Sequence, residues 1–170
     1  MPHSKNKVEW CLKKAKKEIK EGKLHRGLRE ITPDKKIMSA HIQKAEHNLK
    51  AVSRFKEIGY SDWSASAAFY SIYHSLLAIA NKFGFESRNQ ECTFALIYHL
   101  IEEGKIPLDK RLIEGIRALD PEKAHEKPTV IEVREVEQYG VATILENETY
   151  NRLLNTAKTI LDKTKTIIEE

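Results

Sequence analysis

The chain has 170 residues, a formal charge of +4, and 32% charged against 41% hydrophobic residues, enough for one domain with a single buried core. Seven Gly and five Pro leave few turn positions for an all-β design, while 21 Lys and 20 Glu supply helix formers throughout. Cys11 and Cys92 lie far apart within helical patterns and lack metal-ligand spacing, so neither a disulfide framework nor a zinc site is indicated and a reducing cytosol fits.

The start of the chain is basic. Residues 1–40 hold twelve Lys or Arg against five Asp or Glu, a local +7, and the remainder carries −3. Met1 to Lys7 leads directly into lysines alternating with apolar residues, which is not the pattern of a conventional signal peptide. From Val8 to Leu28 the apolar positions recur at three to five residues, with lysines between them, predicting a basic amphipathic helix broken near Gly22 or Gly27. Its narrow apolar face suits packing on a bundle or partner better than a membrane. Lys13, Lys16, Lys17 and Lys20 are candidates to contact nucleic-acid phosphates; a solvated, lysine-rich helix of a heat-adapted protein explains them equally well.

Thr32-Pro33-Asp34 predicts the start of a second helix, with Thr as cap and Pro at the first helical position, running to about Ile58 and stopped by Gly59. Ser61 or Asp62 then caps a helix over Trp63–Phe83 that ends at Gly84. No residue from 63 to 81 is charged. Ser64, Ser66, Ser71, Ser75, His74 and Asn81 argue against a membrane span, leaving a central helix buried on most sides. A fourth helix is expected from about Asn89 to Glu103, and a shorter fifth after Pro107 that stops near Asp120-Pro121. Glu122 to Thr129 reads as a loop. Val130 to Tyr139 fits either a strand or a helix, and a last helix is expected from about Asn147 to Ile168. Together these predict an all-α, antiparallel up-and-down four-helix bundle over residues 32–170, with residues 1–31 as an added basic helical extension.

The sequence contains no glycine-rich phosphate loop, HExxH pair or nucleophile elbow, so no metal or cofactor is implied. Ser66, Tyr70 and His74 fall at i, i+4 spacing and form a polar line along an apolar helix. A hydrogen-bonded core or a dimer seam explains Ser66 and Tyr70. The ring of His74 could hold a phosphate, orient a base or satisfy a neighbouring helix.

Ala45 to Leu49, Gly59-Tyr60-Ser61-Asp62-Trp63-Ser64-Ala65, Phe69-Tyr70-Ser71-Ile72-Tyr73-His74 and Gly84 together resemble the HEPN superfamily, in particular its short archaeal and bacterial members. Arg134-Glu135-Val136-Glu137-Gln138-Tyr139-Gly140 resembles that family's Arg-x4-Tyr-Gly variant. The likeness covers roughly residues 36 to 168. It implies a dimerising helical bundle with a polar cleft at its interface, and many relatives that are metal-independent ribonucleases using an Arg and a following His with four to six residues between them. In such a pair His moves the proton while Arg holds the phosphorane's charge. In this chain the His window after Arg134 reads Tyr139-Gly140-Val141, and tyrosine, with a reference pKa of about 10, is a poor general base at neutral pH. Arg117 with His125 is an alternative pair, set one residue too far apart and partly in a loop. A purely structural Arg134, capping or pairing with a helix carboxylate, competes with both.

The resemblance therefore implies a cytoplasmic, homodimeric protein that binds RNA or nucleotides, the toxin-like half of a pair with a minimal nucleotidyltransferase. One alternative is an active metal-independent endoribonuclease, using Arg117 with His125 or a recruited His74. The other is a non-catalytic oligomerisation module.

Overall fold

The computed structural model describes residues 2–117 and 127–170. Its helices are α1 (Pro2–Lys20), α2 (Lys35–Glu57), α3 (Ser61–Lys82), α4 (Gln90–Glu102), α5 (Lys110–Glu114), α6 (Val130–Tyr139) and α7 (Asn147–Glu169). The fold is all-α, as expected, apart from a short antiparallel ribbon of β1 (Leu28–Glu30) and β2 (Phe85–Ser87), in which Leu28 faces Ser87 and Glu30 faces Phe85.

Helix α3, uncharged from Trp63 to Asn81, is the centre of the molecule. It packs against α2, α4, α6 and α7, and Ala65, Ala68, Phe69, Ile72, Leu76 and Ile79 are fully enclosed, each large apolar side chain contributing roughly 1.5–3 kcal/mol of burial. Its buried hydroxyls are satisfied: Ser64 Oγ donates to the Val52 carbonyl at 2.7 Å and Ser71 Oγ to the Ala45 carbonyl at 2.8 Å. These two bonds, seven residues apart on each helix, fix the antiparallel register of α2 and α3. Gly59, with φ at +87°, makes the tight reversal between them.

Several local expectations change. The first helix stops at Lys20, and Leu28 leaves it to become a buried strand residue. Asp34 caps α2 in place of Thr32, accepting from the Lys36 and Ile37 N–H groups. Ser61 supplies no cap for α3, since its Oγ accepts from the Leu145 N–H at 2.8 Å. The ambiguous segment 130–139 is helical because Thr129 and Glu132 form a reciprocal capping box. The loop and helix end expected around residues 118–126 lie outside the described residues.

The largest correction concerns the cysteines. Cys11 on α1 and Cys92 on α4 form a disulfide, with Cα atoms 5.9 Å apart and both side chains fully enclosed. Their sequence separation of 81 residues hid a pairing that only the docking of α1 on α4 creates. Gly27 fits the same joint, since a Cβ there would stand 2.4 Å from the Cys11 carbonyl oxygen.

Candidate functional site

The outer face of α3 meets α6 at an aromatic shelf. Phe69 is enclosed and its ring lies 5.1 Å edge-on from Tyr70 and 5.9 Å in a stack from Tyr73. Arg134, one turn into α6, lays its guanidinium carbon 4.2 Å from the centre of Phe69 and 5.9 Å from that of Tyr70. A cation over these ring faces is held by their quadrupoles, worth about 0.5–2 kcal/mol. Arg134 Nε is enclosed without a hydrogen-bond partner, and the side chain makes no ion pair with any described residue. The rival expectation, an arginine neutralised by a helix carboxylate, is therefore not the arrangement seen among the described residues. Tyr70 remains 42% exposed, so the shelf is open to solvent.

Tyr139 ends α6 and is 80% exposed. Five residues of helix turn it about 140° from Arg134, so within one chain the two point to different sides. His74 lies on the opposite flank of the shelf, where its Nδ1 is 3.0 Å from Nδ1 of His41 on α2. Burial first, then the neighbouring charge of His41 and Lys44, brings the His74 pKa down from its ordinary 6.5 to about 4, and burial also lowers that of His41. Both rings are thus neutral near pH 7. One Nδ1 must donate to the other, so the pair presents one remaining N–H and one remaining lone pair at its Nε2 atoms.

This pairing has a measurable consequence. A histidine whose folded pKa lies below its unfolded value binds fewer protons in the folded state, so stability is full above pH ~6.5 and is lost as pH falls towards ~4. The denaturant midpoint of the wild type is expected to decline through that window more steeply than that of His74→Gln. Parallel curves would mean that the pair carries no such linkage.

The other candidates are dispersed. Arg117 sits with its guanidinium carbon 5.7 Å from the Phe94 ring on α4, and its carbonyl accepts from Tyr98 Oη at 3.0 Å; it is directed to α4, whereas Arg134 is directed to α3. His125 lies outside the described residues. Lys13, Lys16, Lys17 and Lys20 are all exposed on α1. Ser66 lines a cleft and is not a core residue.

That cleft escaped the sequence. It has a volume of about 180 Å³ and lies between the start of α3 and the segment that follows α6, bounded by Asp62, Trp63, Ser66, Glu137 and residues 140–143. Burial, and then the charge of Asp62, raise the Glu137 pKa, and Glu137 Oε2 is enclosed without a hydrogen-bond partner. In the sequence Asp62 reads as a helix cap. Only the spacing of Glu137 one turn after Arg134, on the same helix face, could have marked it. Among the described residues no group of three or more His, Cys, Asp or Glu could hold a metal ion, and no helix is long and apolar enough to cross a membrane.

The HEPN domain family model matches residues 38–167, from the first turn of α2 to the end of α7. It leaves out α1 and β1. No curated protein matches the chain.

Proposed function

The chain belongs to the HEPN family, and from that premise we propose that it binds RNA or a nucleotide through Arg134 on the outer face of α3, working as a homodimer. HEPN domains are associated with nucleotide and RNA chemistry, and they often dimerise. The observation that carries the reading is the guanidinium of Arg134, oriented by Phe69, beside an exposed tyrosine and without an ion-pair partner among the described residues. A guanidinium offers several N–H donors in a fixed plane, which suits the oxygens of a phosphate. Tyr70 adds an exposed ring on which a base can stack.

Exposed Trp63, Tyr70, Val136, Tyr139 and Val141 surround this site on α3, on α6 and just beyond it. An apolar margin of this kind suits a protein interface. A twofold pairing there would bring Tyr139 of each chain, which points away from its own Arg134, towards the partner's site. The family resemblance further supports a toxin-like role beside a minimal nucleotidyltransferase, for which co-purification of the two proteins from a common operon is the direct test.

Binding is favoured over cleavage on chemical grounds. Tyr139 stands where His is usual and is a poor base at neutral pH. His74, with its pKa near 4 and its Nδ1 engaged by His41, is a weak one.

Labelled RNA incubated with the protein in EDTA is expected to be retained and not cut. Arg134→Ala should weaken retention roughly ten- to a hundredfold, as removal of charge-assisted hydrogen bonds worth about 1.5–3 kcal/mol implies. Sedimentation of the same samples should return a dimer. Cleavage in EDTA that Arg134→Ala abolishes would turn the reading to an unconventional ribonuclease. Absence of both binding and cleavage would turn it to an interaction module.

A further inference from the structure

We propose that the outer face of α1 is a second RNA-binding surface that grips the phosphate backbone, with the groove between α1 and β1 receiving an unstacked base; this rests on the RNA-binding reading above. The helix from Pro2 to Lys20 carries seven lysines against two glutamates, and six of these lysines fall into two sets. Lys7 pairs with Glu91 at 2.9 Å and Lys14 with Glu18 at 2.6 Å. Lys13, Lys16, Lys17 and Lys20 are all exposed and make no ion pair with a described residue. Their i, i+3, i+4, i+7 spacing sets them on one face, in a row about 10 Å long.

The helix that carries this row is fixed. Val8, Cys11 and Ala15 on its opposite side are enclosed, the disulfide joins Cys11 to α4, and the Gly27 backbone closes against the Cys11 carbonyl. A row of cations on a rigid support loses little entropy when it meets a charged polymer. The same packing argues against a lipid surface, because Val8, Cys11 and Ala15, the centre of the apolar face that would enter a bilayer, are enclosed in the protein.

Beside the row, a groove of about 180 Å³ runs between α1 and β1, floored by Leu12, Ala15, Ile19 and Leu28 and flanked by Lys16, by Glu30 and by Arg29, which pairs with Glu86 at 3.1 Å. An apolar floor with Lys16 at its edge fits a base whose phosphates lie along the lysines, the arrangement by which single strands are held without sequence preference. A peptide of acidic side chains would use the lysines but leave the groove unexplained.

The test is the salt dependence of binding to a labelled single-stranded RNA, for wild type and for the combined Lys13→Gln, Lys16→Gln, Lys17→Gln and Lys20→Gln variant. Each phosphate contact to a single strand contributes about −0.7 to the slope of log affinity against log salt. Between about 50 and 200 mM salt the wild type should therefore lose about 50-fold more affinity than the variant. A Lys7→Gln, Lys14→Gln variant, which removes two ion-paired lysines, should retain the wild-type slope. Equal slopes for wild type and the four-lysine variant overturn the proposal; if Arg134→Ala still weakens binding in that case, the reading of the α3 face stands by itself. A wild type that binds no RNA overturns both. Loss of binding to anionic phospholipid vesicles in the four-lysine variant, with RNA binding intact, would reassign the face to a membrane surface.

Discussion

Replacing Cys11 and Cys92 together by alanine is expected to lower the unfolding free energy by about 4–5 kcal/mol, the entropy of closing a loop of this length in the denatured chain. The effect is large because the bond spans 81 residues and because it fastens α1 to a bundle with which it otherwise shares mainly the faces of α4 and β1. The measurement is a guanidinium titration of wild type and double variant, with thiols counted in the denatured wild type without reductant. The wild type should show no free thiol, and added reductant should leave the midpoint of the variant unchanged. Two free thiols with an unaltered midpoint would mean that the cysteines merely pack together. Disulfides are rare in mesophilic cytosol but ordinary inside hyperthermophilic cells. A pairing in the isolated protein would therefore strengthen the heat-adapted explanation of its Lys- and Glu-rich surface.

Phe69→Ala should be nearly as damaging, at about 3–5 kcal/mol, since it empties a fully enclosed site on the central helix. The informative companion is Phe69→Leu. Leucine keeps most of the apolar volume and should cost less than about 1.5 kcal/mol, yet it removes the ring face 4.2 Å beneath the Arg134 guanidinium. The leucine variant is expected to fold with a wild-type spectrum and to bind RNA more weakly, approaching Arg134→Ala. Phe69 is in this sense a positioning residue. Wild-type RNA affinity in Phe69→Leu would show that the orientation of Arg134 does not depend on the ring.

Much of this arrangement was legible in the sequence. An uncharged stretch with scattered serines announced α3 as the central helix, and the glycines at 59 and 84 marked where α2 and α3 end, because these signals act within a few residues of one another. The Thr-x-x-Glu box of α6 is an equally local signal. Ile131 and Val133 alternate as in a strand, but Val130 and Val133, three apart, are the residues that face inward. The strands could not be found by period, since three residues are too few to show one.

The rest depended on contacts between distant elements. The register that seats Ser64 on Val52 and Ser71 on Ala45 also brings His41 opposite His74, but no spacing within either helix reveals the partner. The same holds for Arg134 over Phe69, where the arginine was legible and its aromatic support was not. The cleft between Asp62 and Glu137 likewise needed α6 to be folded against α3.

The bond between α1 and α4 also changes what a broken backbone would mean for this protein. Residues 11 to 92 form a covalently closed ring that includes β1, all of α2 and α3, and β2. A protease that cuts once within the ring, at the exposed connection around Lys23 and Leu24 for instance, would open it without releasing either piece. Such a nicked molecule would migrate as one species until reduced, and would keep its lysine-bearing helix attached to the bundle despite the lost peptide bond.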